Sequence, residues 1–264
     1  MSTVMLAISE KMAQWLSTTP SWLQNAPEGI QNIFYQLYQT WIMNDNWHYF
    51  TDGLKVTILA TLGALVIGVV IGVLIAVIRS AHDSSRKKPP VALRILNALS
   101  KLYLTVVRGT PMIVQLLIMC FVVMVPRGQE ELLRCATITF GLNSGAYVAE
   151  IIRSGIQSID QGQMEAGRSL GFNYGQTMRY IIIPQAIKNI LPALGNELIT
   201  LLKETSVATV IGLNDLTKGA QIIVSTNYTT LVSYISLAAI YLVLVLALTK
   251  LLSIFERRMK NSDR

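Results

Sequence analysis

The sequence predicts an all-α, polytopic membrane protein with about five transmembrane helices. Of its 264 residues, 52% are hydrophobic and 14% charged. That balance excludes disorder and argues against a water-soluble domain. Apolar runs close to the roughly 20 residues of a bilayer-crossing helix recur along the chain. The Lys and Arg residues fall unequally on the two sides of those runs. Net charge is +7, which alone would also suit a nucleic-acid binder. The positions of the charges assign it to membrane topology instead, with no nucleic acid.

Residues 1–53 form an outer N-terminal segment. The apolar patch from Val4 to Ile8 is too short for a signal-peptide core and lacks a basic flank. From Glu28 to Asn44, Ile30, Ile33, Phe34, Leu37, Tyr38, Trp41 and Ile42 recur at helical spacing. All four tryptophans, Trp15, Trp22, Trp41 and Trp47, precede the first span. Tryptophan favours the headgroup layer. Two readings stay open: an amphipathic helix lying on the membrane lipid, or a packed lid on the outer face.

Residues 54–255 form the transmembrane domain. The first span runs from about Leu54 to Ile78. Ala60, Ala64, Gly68, Gly72 and Ala76 lie four apart on it, a small-residue stripe that lets another helix approach closely. A basic turn with a proline stop follows, RSAHDSSRKKPP. Val91 to Val125 is too long for one simple span, and Gly109 and Pro111 place a break at RGTP. Val91–Val107 then runs along the inner interface or at a slant, and Pro111–Val125 crosses. The third span covers about Leu132–Ile156, and the fourth about Pro192–Leu213. A polar outer loop follows, long enough for a short helix. The fifth span is about Leu231–Leu252, and residues 256–264 form a cytoplasmic tail.

The inner segments, Arg79–Lys101, Arg153–Lys188 and Lys250–Arg264, hold 15 basic residues, against 5 in the outer segments. The positive-inside bias then places the N-terminus outside and the C-terminus inside. Cys120 and Cys135 have no partners at metal-ligand spacing. They read first as buried small thiols, with a disulfide as the alternative if both lie near the outer surface.

Between the third and fourth spans, about 157–191, lies a segment too polar for lipid and too long for a simple connection. Glu165, Ala166, Gly167 and Leu170 fit one or two turns of a short helix, which Gly171 can end in a left-handed cap. A short helix with small residues and one carboxylate suits docking into a groove on a soluble partner. Glu165, Ala166, Gly167 and Gly171, followed by Ile183, Pro184, Gln185 and Ala186, resemble the EAA-type coupling loop of ABC-importer permeases, most closely the polar amino acid (histidine/glutamine/arginine-type) family. RGTP at Arg108–Pro111 and AYVAEIIRSGI at Ala146–Ile156 extend the resemblance over about residues 50–255. The third motif position is Gly167 rather than the family's usual alanine. That substitution costs about 1 kcal/mol of helix propensity and predicts a softer loop.

Charge inside a span is costly and marks a candidate functional site. The interior candidates are Arg108, Glu150, Lys203 and Glu204, with Arg153 near the inner end. At about 1.5 Å per residue, Arg108 and Glu150 lie roughly 9 to 12 Å from the inner boundary and Lys203 near mid-membrane. Asn143, Tyr147, Glu150 and Ser154 share one face of the third span, and Asn196, Thr200 and Lys203 share one face of the fourth. Two such stripes suit the lining of a water-accessible substrate path. Lys203 with Glu150 or Glu204 would offer an amino-acid zwitterion both charges it needs. Alternatively these charges pair with each other, or with a partner subunit, and hold the bundle together.

The resemblance implies the type I ABC importer permease fold in a bacterial inner membrane. It implies a second permease copy or homologue, two ABC ATPase subunits docked at Glu165 and its neighbours, a solute-binding protein outside, and a polar amino acid as substrate. No G-x-x-x-x-G-K-[ST] phosphate loop occurs in the chain. ATP and Mg are therefore expected on the partner. The chain itself is expected to be no enzyme, with no catalytic residues, cofactor or metal. The rival readings are a self-contained proton-coupled secondary transporter using Glu150 or Glu204, and a non-transporting membrane scaffold.

Overall fold

The computed structural model describes residues 3–83 and 88–261. Arg86 and Lys87 of the basic turn lie outside them. Twelve α-helices follow in order: α1 Thr3–Leu16, α2 Ser21–Gln24, α3 Glu28–Trp41, α4 Trp47–Asp83, α5 Val91–Gly109, α6 Met112–Ile118, α7 Gln129–Gln157, α8 Gln161–Ser169, α9 Tyr174–Thr177, α10 Ile183–Glu204, α11 Leu216–Asn227 and α12 Thr230–Asn261. No strand occurs among the described residues.

The centre of the fold is the α4–α7 pair, the most extensive helix contact in the chain. The small-residue stripe on α4 makes it. Ala60, Ala64, Gly68, Gly72 and Ala76 are all buried. A Cβ on Gly68 would meet Ser144, and one on Gly72 would lie 2.5 Å from Val148 Cγ1. Residue numbers rise together along the two helices, so they run parallel. The backbones interlock because glycines of each helix face branched side chains of the other, Gly72 against Val148 and Gly141 against Ile67.

The segment after α4 breaks where RGTP predicts. Thr110 is extended, as the residue before a proline prefers, and α5 meets the α6 segment at 108°. The exposed carbonyls at the break are met by one side chain. Gln115 Nε2 donates to Val107 O at 2.7 Å and to Thr110 O at 3.1 Å. After α6 the chain widens into a π-helical turn, Met119–Met124. There Cys120 forms a disulfide with Cys135 of α7, Cα atoms 6.0 Å apart. This corrects the expectation of free thiols. The short connection folds α6 back onto the first turns of α7, and spacing alone did not reveal that approach.

The helix of the expected fourth span begins ahead of Pro192: helical backbone runs from Tyr174 through a π-helical turn, Met178–Ile182, into α10. Pro184 follows directly on that turn, the kind of local adjustment that accommodates a proline inside a helix. Pro192 lies inside α10, tolerated there by local adjustment. Beyond Glu204 the chain tightens into a 3₁₀ segment, Thr205–Ile211, that ends at Gly212 with φ +82°. The polar outer loop does hold a helix, α11. It is capped by Asp215, whose carboxylate accepts from Thr217 N and Lys218 N, and it packs on the start of α4 through Leu216, Ala220 and Ile223.

Among the described residues, α4 (counted from Met43) and α12 are long and apolar enough to cross a membrane unaided; the bent α5–α6 pair makes a third if taken as one span. Helices α7 and α10 carry more polar side chains. A span wrapped by other helices, or facing a water-filled path, needs no apolar surface all round.

A charged cleft and a docking loop as the candidate functional site

Glu150 sits where three helices converge. Its Oε1 is 3.1 Å from Arg79 Nη1 of α4 and 3.6 Å from Arg108 Nη1 of α5. Its Oε2 is 2.9 Å from Arg153 on the next turn of α7. Arg108 also lies over the Tyr147 ring, 5.8 Å from its centroid. A cleft of about 480 Å³ opens beside them, lined by Arg79, Lys101, Thr105, Arg108 and Glu150. Arg79 Nε is buried with no hydrogen-bond partner among the described residues.

Two turns from Glu150 along α7, buried Asn143 donates from Nδ2 to Gln115 Oε1 at 3.1 Å. Through Gln115 the polar face of α7 is tied to the α5–α6 break. The structure thus brings together Arg108, Asn143, Tyr147 and Glu150. It adds Arg79 and Gln115. Arg79 sits at the C-terminal end of the first span, where a basic residue reads as an ordinary inner-boundary charge. Gln115 lies in an apolar run, and its isolated amide is the sequence signal that could have found it.

Lys203 does not join this group. Helix α10 runs antiparallel to α7: Ser144 donates to Glu197 at 2.7 Å, and Gly155 lies against Ile190. That register puts Lys203 about eleven residues from the level of Glu150, roughly 17 Å along the axis. At that separation Lys203 and Glu150 of one chain are not neighbours. Lys203 makes no ion pair among the described residues, Glu204 included. With Asn196 and Thr200 it lies exposed on one face of α10. Glu197, missed in the sequence, is the α10 carboxylate that faces the bundle.

The second feature is the loop between α7 and α10. Asp160 caps α8, its Oδ1 accepting from Gly162 N at 2.6 Å. The helix ends in a Schellman turn: Phe172 N donates to Gly167 O, Gly171 N to Arg168 O, and Gly171 has φ +89°. Gly167 is buried. A Cβ there would lie 2.7 Å from Thr177 Cγ2 and 2.9 Å from Ile181 Cδ1. Its substitution for alanine therefore does not soften the loop. It lets α8 settle onto the following turn, and packing offsets the lost propensity. Glu165, Ala166 and Leu170 face outward, Leu170 with 77% of its surface exposed. The loop is tied to the spans by Tyr174 Oη with Ser80 Oγ of α4 at 3.3 Å and by Asn189 Nδ2 to Ser158 Oγ at 2.8 Å.

Residues 91–261 match the family described as binding-protein-dependent transport system inner membrane component. The chain belongs to that family. Among relatives of this permease family, the chain is 38% identical over 216 residues to the arginine transport system permease protein ArtQ of Bacillus subtilis (strain 168), covering 81% of this chain and 94% of ArtQ. It is 39% identical over 170 residues to the glutamine transport system permease protein GlnP of Escherichia coli (strain K12), covering 63% and 77%. An amino acid ABC transporter crystallised with histidines superposes with a TM-score of 0.71 at 45% identity, covering 80% of this chain and 94% of that one. The MetNI methionine ABC transporter, 21% identical with a TM-score of 0.61 over 84% and 99%, shares the fold. The permease therefore has the type I ABC importer fold and is an inner-membrane transport component. The family match begins at Val91, the first residue of α5.

Proposed function

We propose that this permease forms, with a second copy or a homologue, the path of an ATP-driven importer of polar amino acids. The observation that carries the ATP-driven reading is the α8 loop. It is capped at both ends, packed from beneath through Gly167, and presents Glu165, Ala166 and Leu170 outward. A rigid knob of this kind suits a groove on a cytoplasmic ATPase subunit. Its ties to α4 and α10 give a movement of that subunit a route into the spans.

The path reading draws on the polar face of α10. Asn196, Thr200 and Lys203 would be costly against lipid, and a facing permease subunit or a water-filled path removes that cost. The half-exposed Arg108 guanidinium, beside Tyr147 and Glu150, then suits a solute carboxylate. The names of the relatives support a polar amino acid as that solute. A binding protein would deliver it from outside, where the Lys and Arg bias puts the N-terminus. ATP binding would draw the docking loops together and open the path outward, and hydrolysis would reset it. Use of Glu150 as a proton carrier is disfavoured, since both its oxygens are engaged by guanidinium groups.

The deciding experiment is ATP hydrolysis in lipid nanodiscs by the permease co-purified with its ATPase, with binding protein and a panel of amino acids. Stimulation by one amino acid, abolished in Glu165→Lys while the subunit stays folded, is expected. Uptake driven by a proton gradient alone, with no ATPase retained, would overturn the reading.

A further inference from the structure

Helix α3 is turned the wrong way round for a helix packed on a protein. Its apolar stripe, Ile30, Ile33, Phe34 and Leu37, is 43%, 51%, 39% and 38% exposed. The opposite face is buried: Tyr35 is 3% and Gln39 7% exposed. A lid would bury the stripe and leave Gln39 in water. Here the polar side does the docking. Gln39 O accepts from Asn46 Nδ2 at 2.7 Å and from Asn227 Nδ2 at 2.9 Å. Thr40 Oγ1 lies 3.3 Å from Ser233 Oγ, and Trp41 Nε1 donates to Ser236 Oγ at 3.0 Å. Tyr35 is closed over by Trp15 of α1, ring centroids 5.3 Å apart.

Those bonds fix the depth of the helix. Ser233 and Ser236 lie in the first two turns of α12, within about 10 Å of its start at 1.5 Å per residue. Helix α12 is one of the helices apolar enough to cross the membrane. At the same level α12 exposes Leu231, Tyr234 and Ile235, and the start of α4 exposes Trp47 and Tyr49. The α3 stripe continues this apolar and aromatic surface at the end of a membrane span. Trp22, edge-on to Phe34 at 5.7 Å, extends it toward α2.

We propose that α3 is an interfacial anchor, its Ile30–Ile33–Phe34–Leu37 stripe sunk in the headgroup and upper acyl layer of the lipid at the α12 N-terminal end. The stripe and its depth fit a lipid surface, and Trp22, Trp47 and Tyr49 fit the aromatic belt. Only the choice of the outer leaflet rests on the orientation proposed above.

Site-directed spin labelling of the assembled transporter in nanodiscs tests this. Cys120 and Cys135 are fully buried in a disulfide, so a new cysteine takes the label alone. Ile33→Cys probes the stripe and the adjacent Asn32→Cys the exposed flank. At residue 33 molecular oxygen should relax the label more than a water-soluble nickel chelate does, and at residue 32 the order should reverse. Nickel dominating at both positions would overturn the anchor. So would a label at residue 33 shielded from both reagents, which would assign the stripe to a protein partner. Labelling of Asn32→Cys in intact cells by a membrane-impermeant maleimide is expected; labelling only in inverted vesicles would overturn the orientation and leave the anchor standing.

Discussion

The two faces of α7 differ in what they can tolerate. Toward α4 the helix presents Ser144, Gly145 and Val148, interlocked with glycines and alanines at backbone distance. Toward α5 and α6 it presents Asn143, Tyr147 and Glu150, joined to their neighbours by side-chain bonds across a cleft. Close-packed backbones have no alternative arrangement nearby. Arginine side chains around one carboxylate do, because each can swing and pair again. The α4–α7 seam is the frame, and the opposite face is where rearrangement is cheap.

The largest expected effect breaks the frame. Gly72→Leu drives a side chain into Val148, and overpacking of this kind costs about 1–3 kcal/mol or more even where neighbours can give. Loss of monodisperse protein on size-exclusion chromatography is expected; a well-folded Gly72→Leu complex would erase the contrast between the faces. On the other side, Glu150→Gln should leave assembly intact while solute-stimulated ATP hydrolysis falls about tenfold, equivalent to ~1.4 kcal/mol of barrier. Unchanged kinetics would return Glu150 to a purely structural role, and failure to assemble would make that face part of the frame.

A smaller effect sharpens the boundary between them. The Cys120–Cys135 disulfide staples the α6 end of the cleft side to the frame helix. Replacing both cysteines with alanine should lower the thermal midpoint, with the loop-closure contribution for 15 residues near 3 kcal/mol as the ceiling. Adding reductant should do the same to the parent and nothing to the variant.

The smallest effect concerns pH. Burial pushes the Asp215 carboxyl up to about 6 from 3.8, against the backbone N–H groups it caps. A carboxyl with a raised folded pKa binds its proton more tightly in the folded state, so its contribution is full below about 4 and is lost as pH rises through about 6. Asp215→Asn should remove that slope. Thermal midpoints at pH 5 and 7 should differ less in the variant than in the parent.

The α3 periodicity, the small-residue stripe, the break at RGTP and the Gly171 cap of α8 were legible in the sequence, because each follows from local rules of spacing, proline and glycine. Arg108, Asn143, Tyr147 and Glu150 were legible as intramembrane polar residues. Their partners were not. That Arg79 rather than Lys203 meets Glu150 depends on the parallel register of α4 with α7 and the antiparallel register of α10, which no short motif encodes. Pro192 reads as a boundary, yet it and Pro184 both lie within helical backbone that begins at Tyr174. Gly167 was misjudged by propensity alone, since the space it leaves is filled by Thr177 and Ile181.

The turn after α8 is closed by main-chain bonds, Phe172 N to Gly167 O and Gly171 N to Arg168 O. Only the two glycines are held to their identity by that geometry. Glu165, Ala166, Arg168, Ser169 and Leu170 are therefore relieved of any duty in shaping the loop. If an ATPase subunit docks here as proposed, a lineage can rewrite them to match a new one, one exposed residue at a time, without redesigning the scaffold that presents them.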